Sequence, residues 1–187
     1  EDLSRGLGDV YKRQTLAGRT DAGVHALGQV ISCHLPGAVD PSDLAHRLSR
    51  MCAPDIAVRS GDWAPDDFNA RFSASSRSYR YHVWNAPESN PLLHDFTWHV
   101  VQSLDLDLMN EAAQVVVGQH DFSSFCRAPD PAPDGTPLSL VRTVISASWT
   151  RGDPSHLVMF DIVGMAFCHQ MVRSLSLIHI SEPTRQV

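Results

Sequence analysis

The chain has 187 residues, of which 43% are hydrophobic, and its formal net charge is −6. This length and composition suit one α/β domain with a core of ordinary size. No run of residues approaches the 18 or more apolar positions that would span a bilayer, and none resembles a signal peptide, so we expect a cytoplasmic protein that does not enter a membrane.

One loop places a carboxylate, Asp21, between Arg19 and His25, with Gly18 and Gly23 on either side. Because glycine adopts positive φ without steric cost, these glycines would let the backbone turn sharply and hold Asp21 at a tip, close to a substrate. Arg19 could donate two hydrogen bonds to this carboxylate and keep it ionised. An Asx turn, in which Asp21 only accepts from backbone amides, explains the same pattern.

The next segments predict a strand and then a helix. Residues 29–34 form a short apolar run that predicts a strand leaving the Asp21 loop. Asp40 followed by Pro41 favours the start of a helix, which should end near Cys52. Apolar residues recur at helical spacing within it, namely Leu44, Leu48 and Met51.

Two further strands are predicted beyond this helix. One lies between Ile56 and Trp63, where apolar residues recur. The other covers residues 76–85, in which side chains of different character alternate as they do on the two faces of a strand. One face carries Tyr79, Tyr81 and Val83, and the other carries Arg80, His82 and Trp84.

The remaining elements complete an alternating pattern. Within residues 107–117, apolar residues recur at helical spacing and form one stripe, which predicts a helix. Residues 139–150 and 156–165 predict two strands of an antiparallel hairpin, and residues 167–175 begin a helix. Antiparallel pairing with helices on one face predicts an α+β fold.

The cysteines are scattered and form no Cys-x-x-Cys pair, so they indicate neither a zinc site nor a redox dithiol. We expect all of them to be reduced thiols that serve mostly in packing. They are Cys33, Cys52, Cys126 and Cys168.

Four segments, in this order, carry the residues of one enzyme family. Residues 18–26 read Gly-Arg-Thr-Asp-Ala-Gly-Val-His-Ala. Residues 67–74 and 77–81 contain Phe-x-Ala-Arg-Phe-Ser and Tyr-Arg-Tyr, respectively. Residues 118–125 contain Gly-x-x-Asp-Phe-x-Ser-Phe, and residues 167–173 contain Phe-x-x-x-Met-Val-Arg. Together they resemble the TruA family of tRNA pseudouridine synthases.

This resemblance implies a fold and an activity. The fold would be that of pseudouridine synthases, a mixed and largely antiparallel sheet with helices on one face, built from two ferredoxin-like halves and here incomplete at both ends. The family isomerises uridine to pseudouridine at positions 38 to 40 of the tRNA anticodon arm and acts as a homodimer. Isomerisation involves neither redox change nor net hydrolysis, so we expect no cofactor and no metal.

The resemblance also implies the division of the chain. Residues 15–126 would be part of an N-terminal catalytic subdomain, residues 127–138 a Pro-rich loop, and residues 139–175 the start of a C-terminal subdomain. Residues 1–14 and 176–187 match nothing expected in the family and resemble translated sequencing-adapter sequence. We therefore expect these two tails to be non-native.

The family pattern assigns roles to four residues. Asp21 would be the catalytic residue, acting as a nucleophile on C1′ or as a base that gives a glycal intermediate. Tyr79 would stack on the flipped base, and Arg173 would pair with the catalytic carboxylate. Arg19 matches a signature arginine that contacts the substrate.

A net charge of −6 is unusual for a protein that binds nucleic acid, since phosphate neutralisation supplies much of the affinity. Arg71, Arg77 and Arg80 nevertheless lie close together among aromatic residues, a mixture suited to RNA backbone contact and base stacking, although an ordinary strand with solvated arginines would look the same. His25 has no partner at metal-ligand spacing, so we expect a structural role or an RNA contact.

Two alternatives to an active synthase remain. One is a catalytically inactive RNA-binding fragment of such an enzyme. The other is an unrelated nucleotide-binding or hydrolytic domain, which the absence of a phosphate-binding loop, a dinucleotide fingerprint and a nucleophile elbow disfavours.

Overall fold

The computed structural model describes residues 14–35, 39–127, 135 and 138–181, with side chains up to residue 176. The chain divides into two compact units, residues 1–74 and 75–187. Most of the predicted Pro-rich loop and nearly all of the predicted N-terminal tail lie outside the described residues. The predicted division into subdomains and non-native tails stays a prediction.

The described residues of the first unit form a small antiparallel sheet and a helix. Strand β1 (Gln14–Leu16) pairs with β2 (Ile31–Cys33), and helix α1 covers Pro41–Met51. The Asp40 carboxylate caps α1 by accepting from the backbone N–H of Ser42 at 3.0 Å. These elements confirm the predicted strand and the predicted helix with its cap.

The strand predicted between Ile56 and Trp63 is wrong. Residues 56–63 are all described and form no strand, and the side chains of Ile56 and Trp63 are exposed. Two backbone N–H groups of this segment donate elsewhere, that of Ile56 to Cys52 O at 3.0 Å and that of Val58 to Ser49 Oγ at 3.2 Å. Apolar spacing alone did not reveal that local partners around α1 would satisfy these donors in place of a neighbouring strand.

The second unit contains a five-stranded sheet. Its strands are β3 (Arg77–Asn85), β4 (Trp98–Val100), β5 (Gly118–Asp121), β6 (Val141–Arg151) and β7 (Leu157–Gly164). Their order in the sheet is β4-β3-β7-β6-β5. Only the β3–β4 pair is parallel, so the sheet is mixed and largely antiparallel, as predicted. The predicted hairpin is confirmed as β6 and β7.

Two helices and a short turn accompany this sheet. Helix α2 covers Leu106–Val115, a 3₁₀ turn covers Ser123–Phe125, and helix α3 covers Met171–Ser181. The helix predicted from residue 167 therefore begins four residues later. Gln170 has a φ of 69°, which lies outside the helical region and explains the later start.

The core of the second unit lies on the face of the sheet that both helices cover. Met109 and Ala113 of α2 and Met171 and Leu175 of α3 are buried in one apolar cluster. At its centre the ring of Phe160 stacks on that of Trp149, with centroids 4.7 Å apart. The sheet contributes Val83, Val144, Ala147, Trp149, Val158, Phe160 and Ile162. The fold is therefore α+β with helices on one face, as predicted.

The expectation that all four cysteines are reduced is wrong for two of them. Cys126 and Cys168 form a disulfide, with Cα atoms 5.8 Å apart and a sequence separation of 42. Cys33 and Cys52 are free. Rules based on spacing find only local pairs, whereas this pair depends on packing between distant segments.

Among the described residues, no helix combines the length and the apolar character needed to cross a membrane.

Candidate active site

The Asp21 loop connects β1 to β2 and is closed at its base by hydrogen bonds. The N–H of Ala17 donates to Val30 O at 2.9 Å. The Gln29 side chain bonds both backbone groups of Gly18: its Oε1 accepts from Gly18 N at 3.3 Å, and its Nε2 donates to Gly18 O. Gln29 was not anticipated, because these contacts join residues eleven positions apart and no motif marks them.

At its tip the loop makes a tight turn that leaves Asp21 exposed. The N–H of Val24 donates to Asp21 O at 3.0 Å, and Gly23 has a φ of 78°, as expected for a glycine that completes a turn. Gly18 does not have a positive φ. Within the described part of the chain, the Asp21 carboxylate accepts no backbone hydrogen bond and pairs with no cation, Arg19 included. The exposed carboxylate is therefore available to act on a substrate as a base or a nucleophile.

Arg71 belongs to the same unit, on a turn that is attached to β2. The Asn69 side chain organises this turn, since its Oδ1 accepts from the N–H groups of Arg71 at 3.0 Å and Phe72 at 3.2 Å. The N–H of Ala70 donates to Ser32 Oγ of β2 at 3.1 Å. The exposed Arg71 guanidinium lies 5.4 Å from the centroid of the Phe72 ring, within cation–π distance. Arg19, Asp21, His25 and Arg71 thus all lie in the first unit.

Tyr79 lies in the second unit, on the core-facing side of β3. Its ring packs edge-on against Phe167, with centroids 5.2 Å apart and ring planes at 88°. The Phe167 ring also packs against Gly164. A Cβ at position 164 would lie only 2.9 Å from Phe167 Cζ, so this contact needs a glycine there. Phe167 was not anticipated as a site residue, although the Phe-x-x-x-Met-Val-Arg segment marked its position.

Arg173 is exposed in the first turn of α3 and acts electrostatically on Tyr81. Burial raises the pKa of the Tyr81 phenol, and the positive charge of Arg173 opposes this rise. Tyr81 shares the Tyr79 face of β3, so Arg173 lies close to the tyrosine-bearing face of this strand. No described carboxylate forms an ion pair with Arg173. Asp21 belongs to the other unit, and its pairing with Arg173 stays a prediction.

The opposite face of β3 carries a different arrangement. The Arg80 guanidinium binds the Asp161 carboxylate of β7 through two hydrogen bonds, Nε to Oδ1 at 2.7 Å and Nη2 to Oδ2 at 3.1 Å. These bonds and the charge of Asp161 raise the pKa of Arg80. Burial and, to a smaller extent, Arg80 lower the pKa of the neighbouring His82, whereas Asp161 opposes this effect. On the Tyr79 face, at the start of β3, Arg77 Nη1 donates to Met165 O at 3.1 Å.

No group of three or more His, Cys, Asp or Glu side chains that could hold a metal ion occurs in the ranges that the structure describes. His25 therefore lies outside any such described cluster.

Comparison with known proteins identifies the family. A family profile described as tRNA pseudouridine synthase matches residues 112–185. A tRNA pseudouridine synthase A of Cutibacterium acnes is 41% identical over 163 residues, which cover 86% of this chain and 56% of the relative. The enzyme of the same name from Streptomyces avermitilis is 43% identical over 173 residues, covering 90% of this chain and 58% of the relative.

The similarity extends to more distant relatives. A tRNA pseudouridine synthase A of Bacillus licheniformis is 32% identical over 181 residues, which cover 94% of this chain and 70% of the relative. The chain spans little more than half the length of the first two relatives. Its mixed sheet, with helices on one face, agrees with the pseudouridine synthase fold. The chain therefore belongs to the TruA family of tRNA pseudouridine synthases.

Proposed function

We propose that this chain isomerises uridine to pseudouridine in tRNA, at positions 38 to 40 of the anticodon arm. The observation that carries the proposal is the Gly-Arg-Thr-Asp-Ala-Gly signature of a pseudouridine synthase at residues 18–23, with its aspartate exposed at a turn. Membership of the TruA family supports the proposed tRNA specificity. We further propose that the protein works in the cytoplasm as a homodimer.

Asp21 is the catalytic residue in this proposal. The reaction breaks the bond between N1 of uracil and C1′ of ribose, rotates the base and rejoins it through C5. A carboxylate beside C1′ can attack that carbon, or it can remove a ribose proton to give a glycal. Both routes need an accessible, ionised carboxylate, and the exposed Asp21 side chain supports either.

Tyr79 and Arg173 hold the substrate and the carboxylate. The target base must leave the helical stack, and an aromatic ring can then hold it in a pocket. The edge contact with Phe167 supports this role for Tyr79, because it fixes one side of the ring. Arg173 would pair with Asp21 once substrate excludes water, which strengthens such a pair.

The other basic residues contact RNA to different extents. Arg19, Arg71 and Arg77 are the proposed contacts to the RNA backbone, and His25 is a weaker candidate. Arg80 is already bound to Asp161 by two hydrogen bonds, so a phosphate would have to compete with that carboxylate. We therefore expect Arg80 to contribute little to tRNA affinity.

The release of tritium from tRNA labelled at C5 of uridine tests the catalytic assignment, because the new glycosidic bond displaces the C5 hydrogen. We expect Asp21→Ala to lower the release rate at least about 100-fold, the scale of a lost catalytic base, with tRNA affinity nearly unchanged. Asp55→Ala removes another exposed carboxylate of the same unit and should leave the rate unchanged. Release by Asp21→Ala at the wild-type rate would refute the role of Asp21.

A second candidate function is RNA binding without catalysis. It is favoured by the exposed side chains of Arg71 and Phe72, which lie within cation–π distance of each other and suit RNA contact. In that case the wild-type chain binds a tRNA transcript, and Arg71→Ala weakens this binding, but no tritium is released. Tritium release by the wild type that depends on Asp21 would exclude this candidate.

A further inference from the structure

The disulfide between Cys126 and Cys168 joins two segments that border the proposed site. Cys126 directly follows the turn Ser123–Phe125, and Cys168 lies three residues before α3. Their Cα separation of 5.8 Å falls in the ordinary range for disulfides. Arg173 lies only five residues beyond Cys168.

The segment between β7 and α3 positions two proposed site residues. Phe167 contacts the Tyr79 ring. Met171 lies in the first turn of the helix that carries Arg173, and its buried side chain holds this turn against the core. Between them, Gln170 has a φ of 69°, a conformation that residues other than glycine keep only when their surroundings enforce it. This segment therefore needs external restraint to hold the start of α3.

On the side of the 3₁₀ turn, Phe125 and Cys126 pack against the core cluster that also contains Met171 and Leu175 of α3. The N–H of Arg127 donates to His169 O at 3.1 Å, next to the disulfide. Both cysteines are half-buried and pack against the core of the second unit. In a reducing compartment such a disulfide is transient and usually serves catalysis or redox sensing.

We propose that Cys126 and Cys168 form a reversible, redox-dependent clamp that holds the start of α3 and thereby positions Arg173. In the disulfide form the clamp is closed and the first turn of α3 is held against the turn Ser123–Phe125. In the dithiol form the hydrogen bond from Arg127 to His169 and the burial of Met171 and Leu175 remain, and together they restrain the start of α3 less tightly. The effect on catalysis rests on the proposed function, whereas the clamp itself does not.

Closing the clamp requires a disulfide oxidant of low molecular mass, such as oxidised glutathione. The thiolate of one cysteine attacks this oxidant, forms a mixed disulfide and releases one small thiol. The second cysteine then attacks the mixed disulfide and releases the other small thiol. The two protein thiols supply two electrons and two protons, so one small disulfide becomes two small thiols. Reduction by excess small thiol reverses both steps.

A glutathione redox titration of the 187-residue chain tests the clamp. Alkylation and mass spectrometry count the free thiols at each ratio, and hydrogen exchange follows the backbone amides of residues 172–175. We expect Cys126 and Cys168 to become protected from alkylation together. At the same midpoint, exchange of these amides should slow about tenfold or more, within the range of restraint that a disulfide provides.

Variants distinguish this pair from the other cysteines. Cys168→Ser and Cys126→Ser should each hold the exchange at the reduced level at every glutathione ratio, whereas Cys33→Ser should leave the transition unchanged. The wild-type titration gives an answer even if a variant fails to fold. Thiols that stay unpaired across the whole range, or exchange that does not follow their pairing, would overturn the clamp.

Tritium release measured along the same titration separates this inference from the proposed function. If the exchange transition occurs without any release, the clamp stands and the proposed function fails. If release occurs, its rate should change with the same midpoint as the exchange, and Cys168→Ser should abolish that change. A release rate that ignores the transition would refute the positioning of Arg173.

Discussion

The second unit buries large side chains such as Phe122, Met109 and Phe160, whereas the described residues of the first unit bury only Ala45 and Ala70 among their hydrophobic residues. In the first unit, Leu27 is 88% exposed and Met51 is 80% exposed. The proposed catalytic Asp21 therefore lies in the unit with little apolar core, and Tyr79 and Arg173 lie in the unit with an extensive one.

This difference indicates how each unit holds its site residues. Burial of apolar surface is the main source of stability in a folded domain, so the second unit fixes Tyr79 through packing. The first unit relies on hydrogen bonds, such as those between Gln29 and Gly18, to shape the Asp21 loop. Segments with few buried apolar contacts open at a lower free-energy cost, so we expect the Asp21 loop to be the more mobile part of the site.

The largest expected effect comes from removing a core side chain. Phe160→Ala should lower the free energy of unfolding by about 3–5 kcal/mol, because Phe160 is fully buried and stacks on Trp149. The matched control, Phe72→Ala in the first unit, should change it by less than about 0.5 kcal/mol, since Phe72 is 78% exposed. Urea denaturation followed by tryptophan fluorescence measures both. Equal effects would contradict the contrast between the two units.

Helix caps test whether the two units open independently. Asp40 caps α1 in the first unit, and Asp105 caps α2 in the second by accepting from the N–H groups of Asp107 and Leu108. Replacing either cap by alanine should cost about 1 kcal/mol, which speeds amide exchange in that helix about fivefold. Hydrogen exchange resolved by peptide should show each effect in its own helix. Faster exchange in α2 caused by Asp40→Ala would mean that the two units open together.

The smallest expected effect concerns pH and the second unit alone. Burial lowers the pKa of His82 in the folded chain, so below about pH 6.5, its ordinary value, the unfolded chain takes up a proton that the folded chain resists. The stability contributed by neutral His82 should be complete above that pH and decline as pH falls towards the lowered folded pKa. Urea denaturation between pH 8 and 5 should show a shallower decline for His82→Asn. A matched control is His46→Asn, an exposed histidine of the first unit; an equally shallow decline in that variant would argue against His82.

Local patterns predicted much of the fold. Asp40 and Pro41 marked the start of α1, and alternation from Tyr79 to Trp84 gave the two faces of β3. Such signals depend on residues a few positions apart, which the sequence displays directly. The apolar pattern between Ile56 and Trp63 predicted a strand wrongly, because a strand also needs a partner strand and the local pattern carries no information about one.

The family resemblance proposed the site residues, and the structure supplied contacts that no pattern indicated. The hydrogen bonds between Gln29 and Gly18 span eleven positions, and the disulfide between Cys126 and Cys168 spans 42. Phe167 contacts Tyr79 and also packs against Gly164, where a Cβ would lie 2.9 Å from Phe167 Cζ. None of these pairs shares a periodic pattern, so each is visible only once the chain has folded.

The sequence by itself determined the start of α1, the alternation of β3, the hairpin and the family signature around Asp21, because each depends on short-range chain geometry or on residue identity. Only the tertiary structure decided that Arg80 binds Asp161, that Arg173 acts on Tyr81 and that two cysteines form a disulfide. These contacts join segments far apart in sequence. Their formation depends on how side chains pack across the sheet and helices, and local periodicity does not encode that packing.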